Sequence, residues 1–496
     1  MATNGGKQPR KLLGLIFLPF SFMQDNNPTH ATLLDPMPQV IIVGAGLTGL
    51  TAAHTLRKHG KTVLIIEKES RIGGQIHTHE ANGFVFESGP NTGVVAHPEV
   101  AELFEELAPL GCQLLTACDE AKQRWIWKAG RFHALPVGLK ASVRTTLFSW
   151  HDKLRILAEP FRPKGTDENE SVAQLVRRRL GHSYERYAVD PFISGVYAGD
   201  AERLVTRYAL PKLYNLEQTY GSFVRGAIAK MRQPKTPRER LATKKVFSAH
   251  GGMQRLVEAL AHSVGKANIV LDAKDLQLTP NEQGWEAVFN VNGSPRRIVA
   301  PQVVTTIGAY ALPQLLPFVP KRLMEPIASL RYAPIVQVSV GFDSVDGGRN
   351  EAFGGLVPSC ENRQILGVLF PASCFEGRAP RQGDLFSVFV GGIKHPEMLD
   401  KNDDEMAQMV LSELRQMLPS LANGQPSLLR IFRHRHAIPQ YEASSGARLA
   451  AVDALQSLFP GLVVAGNLRN GIGMADRIRQ GVTIIPEDLA NFRRKE

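Results

Sequence analysis

Three glycines near the start of the chain, Gly44, Gly46 and Gly49, have the G-x-G-x-x-G spacing of a loop that holds dinucleotide phosphates. The first glycine permits a tight turn, the second lets the backbone approach the pyrophosphate, and the third lets the next helix pack on its strand. The apolar run Val40–Val43 enters the loop. Glu67 follows a second apolar run and places a carboxylate where a ribose hydroxyl would bind. We therefore predict a dinucleotide site.

A second glycine-rich stretch lies near the other end of the chain, where the apolar run Leu462–Val464 leads to Gly466 and Gly473. If both stretches serve one nucleotide, the two ends of the chain must converge on it. Glu67 would suit NAD as well as FAD, but the turn Arg71–Gly74 is typical of many FAD proteins.

Composition sets broad limits on the function. The chain has 496 residues, enough for two or three domains, and 58 Lys and Arg against 47 Asp and Glu give a net charge of +11. This surplus favours anionic partners, such as acidic lipid or a multiply charged small molecule, although a generally basic solvated surface would give the same balance. No nucleic-acid-binding module is visible, and we expect no nucleic-acid partner.

The cysteines and histidines predict neither disulfides nor a metal site. The four cysteines include no C-x-x-C pair, which is typical of reduced thiols in a cytosolic protein. Arg433–His436 would place two histidines on one face of a strand, but a metal would need further ligands that the sequence does not offer.

The first 37 residues are unusual because Lys11–Met23 superficially resembles the core of a signal peptide. The run is too short and too interrupted by proline to predict a spanning helix. We expect the extension 1–37 to be disordered or a start-site artefact, with Met37 as the true initiator; a leader that touches the membrane is the alternative.

Other apolar segments predict the elements that position the loops. Val303–Gly308 is expected to be a strand that returns to the nucleotide sheet, and Ser171 is expected to cap a helix. Strand-rich sequence at 335–342, 366–370 and 385–391 predicts a large mixed sheet over a substrate cavity.

Apolar and basic residues are mixed between Leu135 and Pro163, in a segment that includes Trp150. Such a basic amphipathic segment can lie on an anionic membrane surface. A helix packed on the protein's own core, with its basic residues in water, explains the pattern equally well.

Six short motifs follow one another along the chain between Glu87 and Tyr441. They are Glu87–Asn91, Asp190–Asp200, Phe353–Pro358, Ile365–Phe370, Phe389–Gly392 and Ala437–Tyr441. In this order they resemble the motifs of the FAD-dependent protoporphyrinogen oxidases, a family within the amine-oxidase-like flavoproteins. The resemblance covers nearly everything from Gln39 onward, but the extension 1–37 has no counterpart, and Met474 stands where the family often has a smaller β-branched residue.

The resemblance implies an α/β fold of mixed (α+β) character. A Rossmann-like FAD-binding domain would be interleaved with a mixed-sheet substrate-binding domain and a helical membrane-facing domain. We expect the FAD-binding domain at 38–105, 235–305 and 455–496, the substrate-binding domain at 106–130 and 306–454, and the helical domain at 131–234.

The resemblance also implies site residues. Arg124 would pair with a propionate of a tetrapyrrole, Leu356 and Leu369 would sandwich one pyrrole ring, and Phe389 would stack on another. Asn91 and Gly199 would lie near the reacting bridge carbon, and no residue stands out as a general acid or base. The residues expected to bind FAD are Gly44, Gly46, Leu47, Thr48, Gly49, Glu67, Lys68, Arg71, Gly73, Gly74, Gly89, Pro90, Asn91, Gly466, Asn467, Gly473 and Met474.

The implied activity is oxidation of protoporphyrinogen IX to protoporphyrin IX, with six electrons removed in three flavin cycles. Oxygen is the expected acceptor, with a quinone as an alternative. We expect a cytoplasmic protein bound peripherally to the inner face of the membrane, with ferrochelatase and a second copy of the chain as further candidate partners.

Three alternatives remain open at this point. The nearest is oxidation of coproporphyrinogen III to coproporphyrin III, since the same features serve a substrate with four carboxylates. The others are an amine oxidase or carotene desaturase on the same scaffold, and a flavin- or porphyrin-binding protein without turnover.

Overall fold

A computed structural model describes residues 37–484 together with the short strand Thr32–Leu33. The expectations for the extension 1–37 therefore fall almost wholly outside the described residues. The strands, in chain order, are β1 (Thr32–Leu33), β2 (Val40–Val43), β3 (Val63–Ile66), β4 (Thr78–Ala81), β5 (Phe84–Glu87), β6 (Gly93–Val94), β7 (Leu114–Thr116), β8 (Arg124–Lys128), β9 (Arg131–Ala134), β10 (Val246–Ala249), β11 (Ile269–Val270), β12 (Lys274–Asn281), β13 (Gly284–Val291), β14 (Ser294–Ala300), β15 (Gln302–Thr305), β16 (Tyr332–Phe342), β17 (Gly354–Leu356), β18 (Gly367–Leu369), β19 (Asp384–Gly391), β20 (Leu428–Pro439) and β21 (Leu462–Val464).

The helices connect and cover these strands. In chain order they are α1 (Leu47–Lys58), α2 (Pro98–Leu107), α3 (Leu139–Arg144), α4 (Trp150–Leu157), α5 (Val172–Arg179), α6 (His182–Tyr184), α7 (Asp190–Tyr197), α8 (Thr206–Ala209), α9 (Pro211–Tyr220), α10 (Phe223–Arg232), α11 (Pro237–Arg240), α12 (Gln254–Val264), α13 (Leu312–Leu315), α14 (Lys321–Ala328), α15 (Pro371–Cys374), α16 (Asp403–Met417), α17 (Ser445–Leu458) and α18 (Met474–Thr483).

A five-stranded parallel sheet brings the two ends of the chain together. Its order is β11-β3-β2-β15-β21. Strands β2 and β3 are continuous apolar runs that are buried throughout, as expected for a parallel sheet covered on both faces. The predicted return of the chain is confirmed, because β15 lies between β2 and the late strand β21.

A seven-stranded mixed sheet forms the second large layer, in the order β20-β16-β19-β18-β17-β8-β9. Its strands pair antiparallel except for β8 and β17, which are parallel. One face carries buried valines such as Val338, Val368 and Val388, which belong to the same core as Leu414 of α16. The opposite face carries Gln337, Ser387 and Phe389, which do not belong to that core.

The segment between β9 and β10 is helical, as predicted. The Ser171 hydroxyl accepts a hydrogen bond from the backbone N–H of Gln174, and the side-chain oxygen of Gln174 accepts one from the backbone N–H of Ser171. This reciprocal pair confirms the predicted cap of α5. Strand β9 belongs to the seven-stranded sheet, so this sheet continues past the domain boundary predicted at residue 130. The mixed α/β fold class is confirmed, whereas the domain limits stay a prediction.

Candidate functional site

The loop after β2 has the backbone that the glycine spacing predicts. Gly44 has a φ of +103°, a left-handed value that favours glycine. A Cβ atom on Gly49 would overlap the carbonyl oxygen of Gly44, so α1 packs directly against the loop. A Cβ on Gly46, the N-cap of α1, would meet no atom within 4 Å. The open space in front of the helix N-terminus fits a pyrophosphate.

Two further predicted cofactor residues support this loop. The Glu67 carboxylate lies at the carboxyl end of β3 and accepts hydrogen bonds from the backbone N–H groups of Ala45, at 2.7 Å, and Glu69, at 3.0 Å. The Arg71 guanidinium donates to the carbonyl oxygens of Gly74, at 2.6 Å, and Ile76, at 3.1 Å, which fixes the turn that contains Gly73. Lys68 is exposed and pairs with Glu69.

The late glycine stretch lies at the same edge of the sheet, because β21 and β2 both end there. The Gly466 N–H donates to Gln480 of α18 at 2.9 Å. The Tyr441 hydroxyl donates to the carbonyl oxygens of Asn467, at 2.8 Å, and Gly471, at 3.0 Å. Gly473 is the exposed N-cap of α18 and Met474 begins that helix. The loop after β21 thus leads from this edge of the sheet into a second helix N-terminus, that of α18.

The segment Glu87–Asn91 connects this edge to the seven-stranded sheet. The buried Glu87 carboxylate accepts from Arg378 at 2.9 Å and from the Met253 N–H at 3.0 Å. A Cβ on Gly89 would overlap the carbonyl oxygen of Gln75, so the chain passes there with no room for a side chain. Pro90, which follows, is partly buried.

Asn91 is held in one orientation. Its amide nitrogen donates to the carbonyl oxygen of Gly89 at 3.0 Å, and its amide oxygen accepts from the Ser387 hydroxyl at 2.8 Å. Gln337 donates to the carbonyl oxygen of Glu87 at 2.7 Å. Ser387 and Gln337 lie on β19 and β16, so one face of the seven-stranded sheet anchors the segment.

The substrate-binding residues predicted on the strands of this sheet all lie on that same face. They are Arg124, Leu356, Leu369 and Phe389. Arg124, Gly354, Leu369 and Ser387 lie opposite one another on neighbouring strands. Two residues further along the strands, Leu356 lies opposite Gly367, which lies opposite Phe389. Directly paired residues and residues two apart point to one side of a sheet. Arg124 is exposed, and the three apolar side chains are only partly buried, unlike the valines of the opposite face.

Helix α7 packs against this face. A Cβ on Gly195 would overlap the Leu356 side chain, so the helix backbone lies directly on that residue. Gly199 follows the helix, and a Cβ there would lie 2.6 Å from the side-chain oxygen of Gln440. Between them Ala198 has a φ of +47°, a left-handed value that is uncommon outside glycine. Helix α7 therefore lies on the face that bears Arg124, Leu356, Leu369 and Phe389, and Gly199 follows directly after that helix.

Sequence reasoning missed several residues that hold the site together. Ser387, Gln337 and Arg378 act through contacts with residues about 250 to 300 positions away in the chain. The sequence did hold an indication of Ser387 and Gln337, since each is a polar residue inside a buried apolar strand.

The two histidines of the segment Arg433–His436 have partners within the protein. His434 donates to the carbonyl oxygen of Ser88 at 2.6 Å, and His436 stacks on Tyr310. In the described part of the chain, no group of three or more potential metal ligands is present.

The fold and these loops define a flavin-dependent oxidoreductase. The model of the flavin containing amine oxidoreductase family matches residues 47–482. The chain belongs to this family, and its cofactor is FAD, for which the open space at Gly46 and the two helix N-termini provide a fitting site.

Similar proteins carry more specific names. The chain is 29% identical over 472 residues to protoporphyrinogen oxidase 2, chloroplastic/mitochondrial, of Arabidopsis thaliana, covering 89% of this chain and 92% of that protein. It is 25% identical over 476 residues to coproporphyrinogen III oxidase of Bacillus subtilis (strain 168), covering 92% and 98%.

Solved structures share the fold. A protein of Exiguobacterium sp. 255-15 that carries a provisional protoporphyrinogen oxidase name superposes with a TM-score of 0.75 at 23% identity, covering 91% of this chain and 98% of that one. Cyclohexylamine oxidase from Brevibacterium oxydans IH-35A superposes with a TM-score of 0.66 at 17% identity, covering 92% and 100%. At these identities the superpositions support the fold alone.

Proposed function

We propose that the protein oxidises a porphyrinogen to the corresponding porphyrin, with protoporphyrinogen IX as the substrate. The observation that carries this proposal is the face of the seven-stranded sheet that bears Arg124, Leu356, Leu369 and Phe389. A flat, apolar ring system with carboxylates at its edge matches partly buried apolar side chains beside an exposed guanidinium. The names of the similar proteins agree with this substrate class.

Bound FAD supplies the two-electron oxidation, and a porphyrinogen needs three such rounds to lose six electrons. The residues of the chain bind and orient the substrate. Leu356 and Phe389 cover the ring faces and exclude water, while Arg124 holds a carboxylate at the edge of the slot. Asn91, whose amide is held by Ser387 and by the Gly89 carbonyl, would position the segment Glu87–Asn91 against this sheet face.

Turnover of the two candidate porphyrinogens side by side tests the proposal. Purified enzyme with identified FAD is expected to convert protoporphyrinogen IX to a fluorescent porphyrin in air, faster than it converts coproporphyrinogen III. The reverse order of rates would assign the tetracarboxylate as the substrate. No conversion of either compound, with oxygen or with a quinone, would contradict the proposal and favour a binding protein or an oxidase of amines.

Arg124→Ala is expected to raise KM by roughly tenfold or more and to lower kcat much less, because the lost carboxylate contact is the same in the ground state and the transition state. Arg131→Ala is a matched control, since Arg131 is also exposed on the adjacent strand β9. Porphyrin fluorescence over a range of substrate concentrations measures both parameters. An unchanged KM for the Arg124 variant would remove this residue from the site.

We also propose that the helical segment binds the anionic surface of a membrane from its cytoplasmic side. Exposed apolar side chains support this: Trp150, Leu157 and Phe161 are 65%, 70% and 83% exposed. Lys153 lies over the Trp150 ring at 4.6 Å, which places basic charge beside the apolar surface. Among the described residues, no helix is long and apolar enough to cross a bilayer.

Vesicle sedimentation tests this surface. The protein is expected to bind vesicles that contain anionic lipid at least about tenfold more tightly than zwitterionic vesicles, because apolar insertion and charge attraction act together. The variant Trp150→Ser/Leu157→Ser should lose this binding. The control Leu458→Ser/Val288→Ser removes exposed apolar residues elsewhere and should retain it. Equal loss in both variants would contradict the assignment of this surface.

A further inference from the structure

A histidine and a carboxylate from opposite ends of the chain meet beside the late glycine stretch. The Nε2 atom of His97 lies 2.9 Å from the Oδ1 atom of Asp476, although the two residues are 379 positions apart. His97 is the N-cap of α2, a few residues after Asn91, and Asp476 lies in the first turn of α18. The pair therefore joins the segment Glu87–Asn91 to the N-terminus of that helix.

The position of α18 along the sheet edge places this pair near the ring end of the dinucleotide. Glu67 follows β3, the pyrophosphate loop follows β2, and Gly466 follows β21 on the other side of β15. Neighbouring strands are about 4.8 Å apart, so β21 lies roughly 10 Å from β2, on the side away from Glu67. With Glu67 beside the ribose, the part of FAD beyond its pyrophosphate would extend in that direction.

The helix N-terminus and the Asp476 carboxylate have opposite effects on a negative charge bound beside them. The first backbone N–H groups of the helix and the helix dipole favour a negative charge on a ligand placed there. Asp476 adds a carboxylate at the same point, where its Oδ2 atom accepts from the Gly473 N–H at 3.2 Å. Burial acts to raise the pKa of Asp476, but the hydrogen bonds from His97 and Gly473 outweigh it and hold the pKa below its usual value. Asp476 is therefore ionised at neutral pH.

We propose that His97 and Asp476 set the reduction potential of the bound FAD: the Asp476 carboxylate disfavours the reduced, anionic ring, and His97 limits that effect by holding and shielding the carboxylate. Both are positioning residues that act through the electrostatic field at the end of α18. The inference rests on the FAD site and on none of the substrate assignments.

The reduction potential of purified holoenzyme, measured anaerobically against a reference dye, tests the pair. Asp476→Asn keeps a hydrogen-bond acceptor for Gly473 and removes the charge, so it should raise the potential. His97→Ala leaves the carboxylate unshielded and should lower it. Each change is expected to alter the ratio of reduced to oxidised flavin at fixed potential by about tenfold, which is 29.6 mV for a two-electron couple. The double variant should match Asp476→Asn, because His97 acts only through the carboxylate.

A second histidine–carboxylate pair provides the control. His54 Nε2 lies 2.9 Å from Glu106 Oε2, where α1 meets α2, and neither residue belongs to the loops at the carboxyl edge of the sheet. His54→Ala should leave the potential unchanged. Asp476→Ser serves as a second charge-removing variant in case Asp476→Asn fails to fold, and it should shift the potential in the same upward direction.

The possible outcomes distinguish a failure of the role proposed for His97 and Asp476 from a failure of the cofactor assignment. An unchanged or raised potential in His97→Ala, or an unchanged or lowered one in both Asp476 variants, would overturn the proposal while the wild type still binds FAD. A purely structural role would weaken FAD affinity in every variant without opposite shifts of potential, and fluorescence of released FAD measures that affinity. A wild type that binds no FAD would overturn the cofactor site itself.

Discussion

Gly46→Ala is expected to fold as stably as the wild type without cofactor, yet to bind FAD roughly 100-fold more weakly, a loss of about 2.7 kcal/mol. The added methyl group would meet no protein atom within 4 Å, so the fold has room for it. It would occupy the space through which the backbone approaches the pyrophosphate. Flavin fluorescence during titration gives the affinity, and thermal unfolding of the cofactor-free protein gives the stability.

Gly49→Ala provides the contrast within the same loop. Its Cβ atom would overlap the carbonyl oxygen of Gly44 and lie 3.0 Å from the Thr306 hydroxyl oxygen. Both the fold and FAD binding should therefore suffer, with a loss of roughly 1–3 kcal/mol in the free energy of unfolding. If Gly46→Ala bound FAD normally, the open space in front of α1 would not belong to the cofactor.

The parts of the fold that local sequence patterns describe were predictable. The spacing of Gly44, Gly46 and Gly49 demands one backbone geometry, and the flanking apolar runs can only form buried strands. Ser171 could be placed as a helix cap because capping depends on residues within one turn. These features are confirmed because their physical causes lie close together in the chain.

The candidate site was harder to predict because its geometry depends on strand register. Only the pairing of β8 with β17, and of β18 with β19, places Arg124 and Phe389 on one face. A shift of one residue would turn either side chain to the opposite face. The roles proposed for them rest on resemblance to a family, and no local pattern could have indicated that they share a face.

Residues that contact each other across long sequence separations could not be paired from the sequence. His97 and Asp476 are ordinary polar residues in their own segments, and only the convergence of two helix ends brings them into contact. The same holds for Ser387, whose partner Asn91 lies in a different layer. Contacts of this kind arise from tertiary packing, which local periodicity does not determine.

A buried ionic cluster ties the helical segment together. Arg179 and Glu159 have fully buried side chains, and Arg179 Nε lies 3.0 Å from Glu159 and 3.2 Å from Glu217. Glu159 also accepts from the backbone N–H of Phe223 at 3.0 Å, at the start of α10. The cluster therefore joins α5, α9 and α10, the helices behind the proposed membrane surface.

The pH dependence of this cluster follows from Glu217. Burial acts to raise the pKa of Glu217, but the hydrogen bond from Arg178 and that from the Gly165 backbone outweigh it and hold the pKa below its usual value of 4.5. A carboxyl group with a lowered pKa stabilises the folded state above its unfolded pKa and loses this contribution as the pH falls through the folded value. The helical segment should therefore become less stable as the pH falls below about 4.5.

Arg179→Met should lower the free energy of unfolding by roughly 3–5 kcal/mol, because it leaves the Glu159 carboxylate buried without its guanidinium partner. Arg177→Met is the matched control on the same helix: Arg177 is partly exposed and pairs with Glu202 at the surface, so its loss should be below about 1 kcal/mol. Urea unfolding at neutral pH, followed by circular dichroism, measures both. Equal losses in the two variants would show that burial of the cluster contributes nothing beyond a surface ion pair.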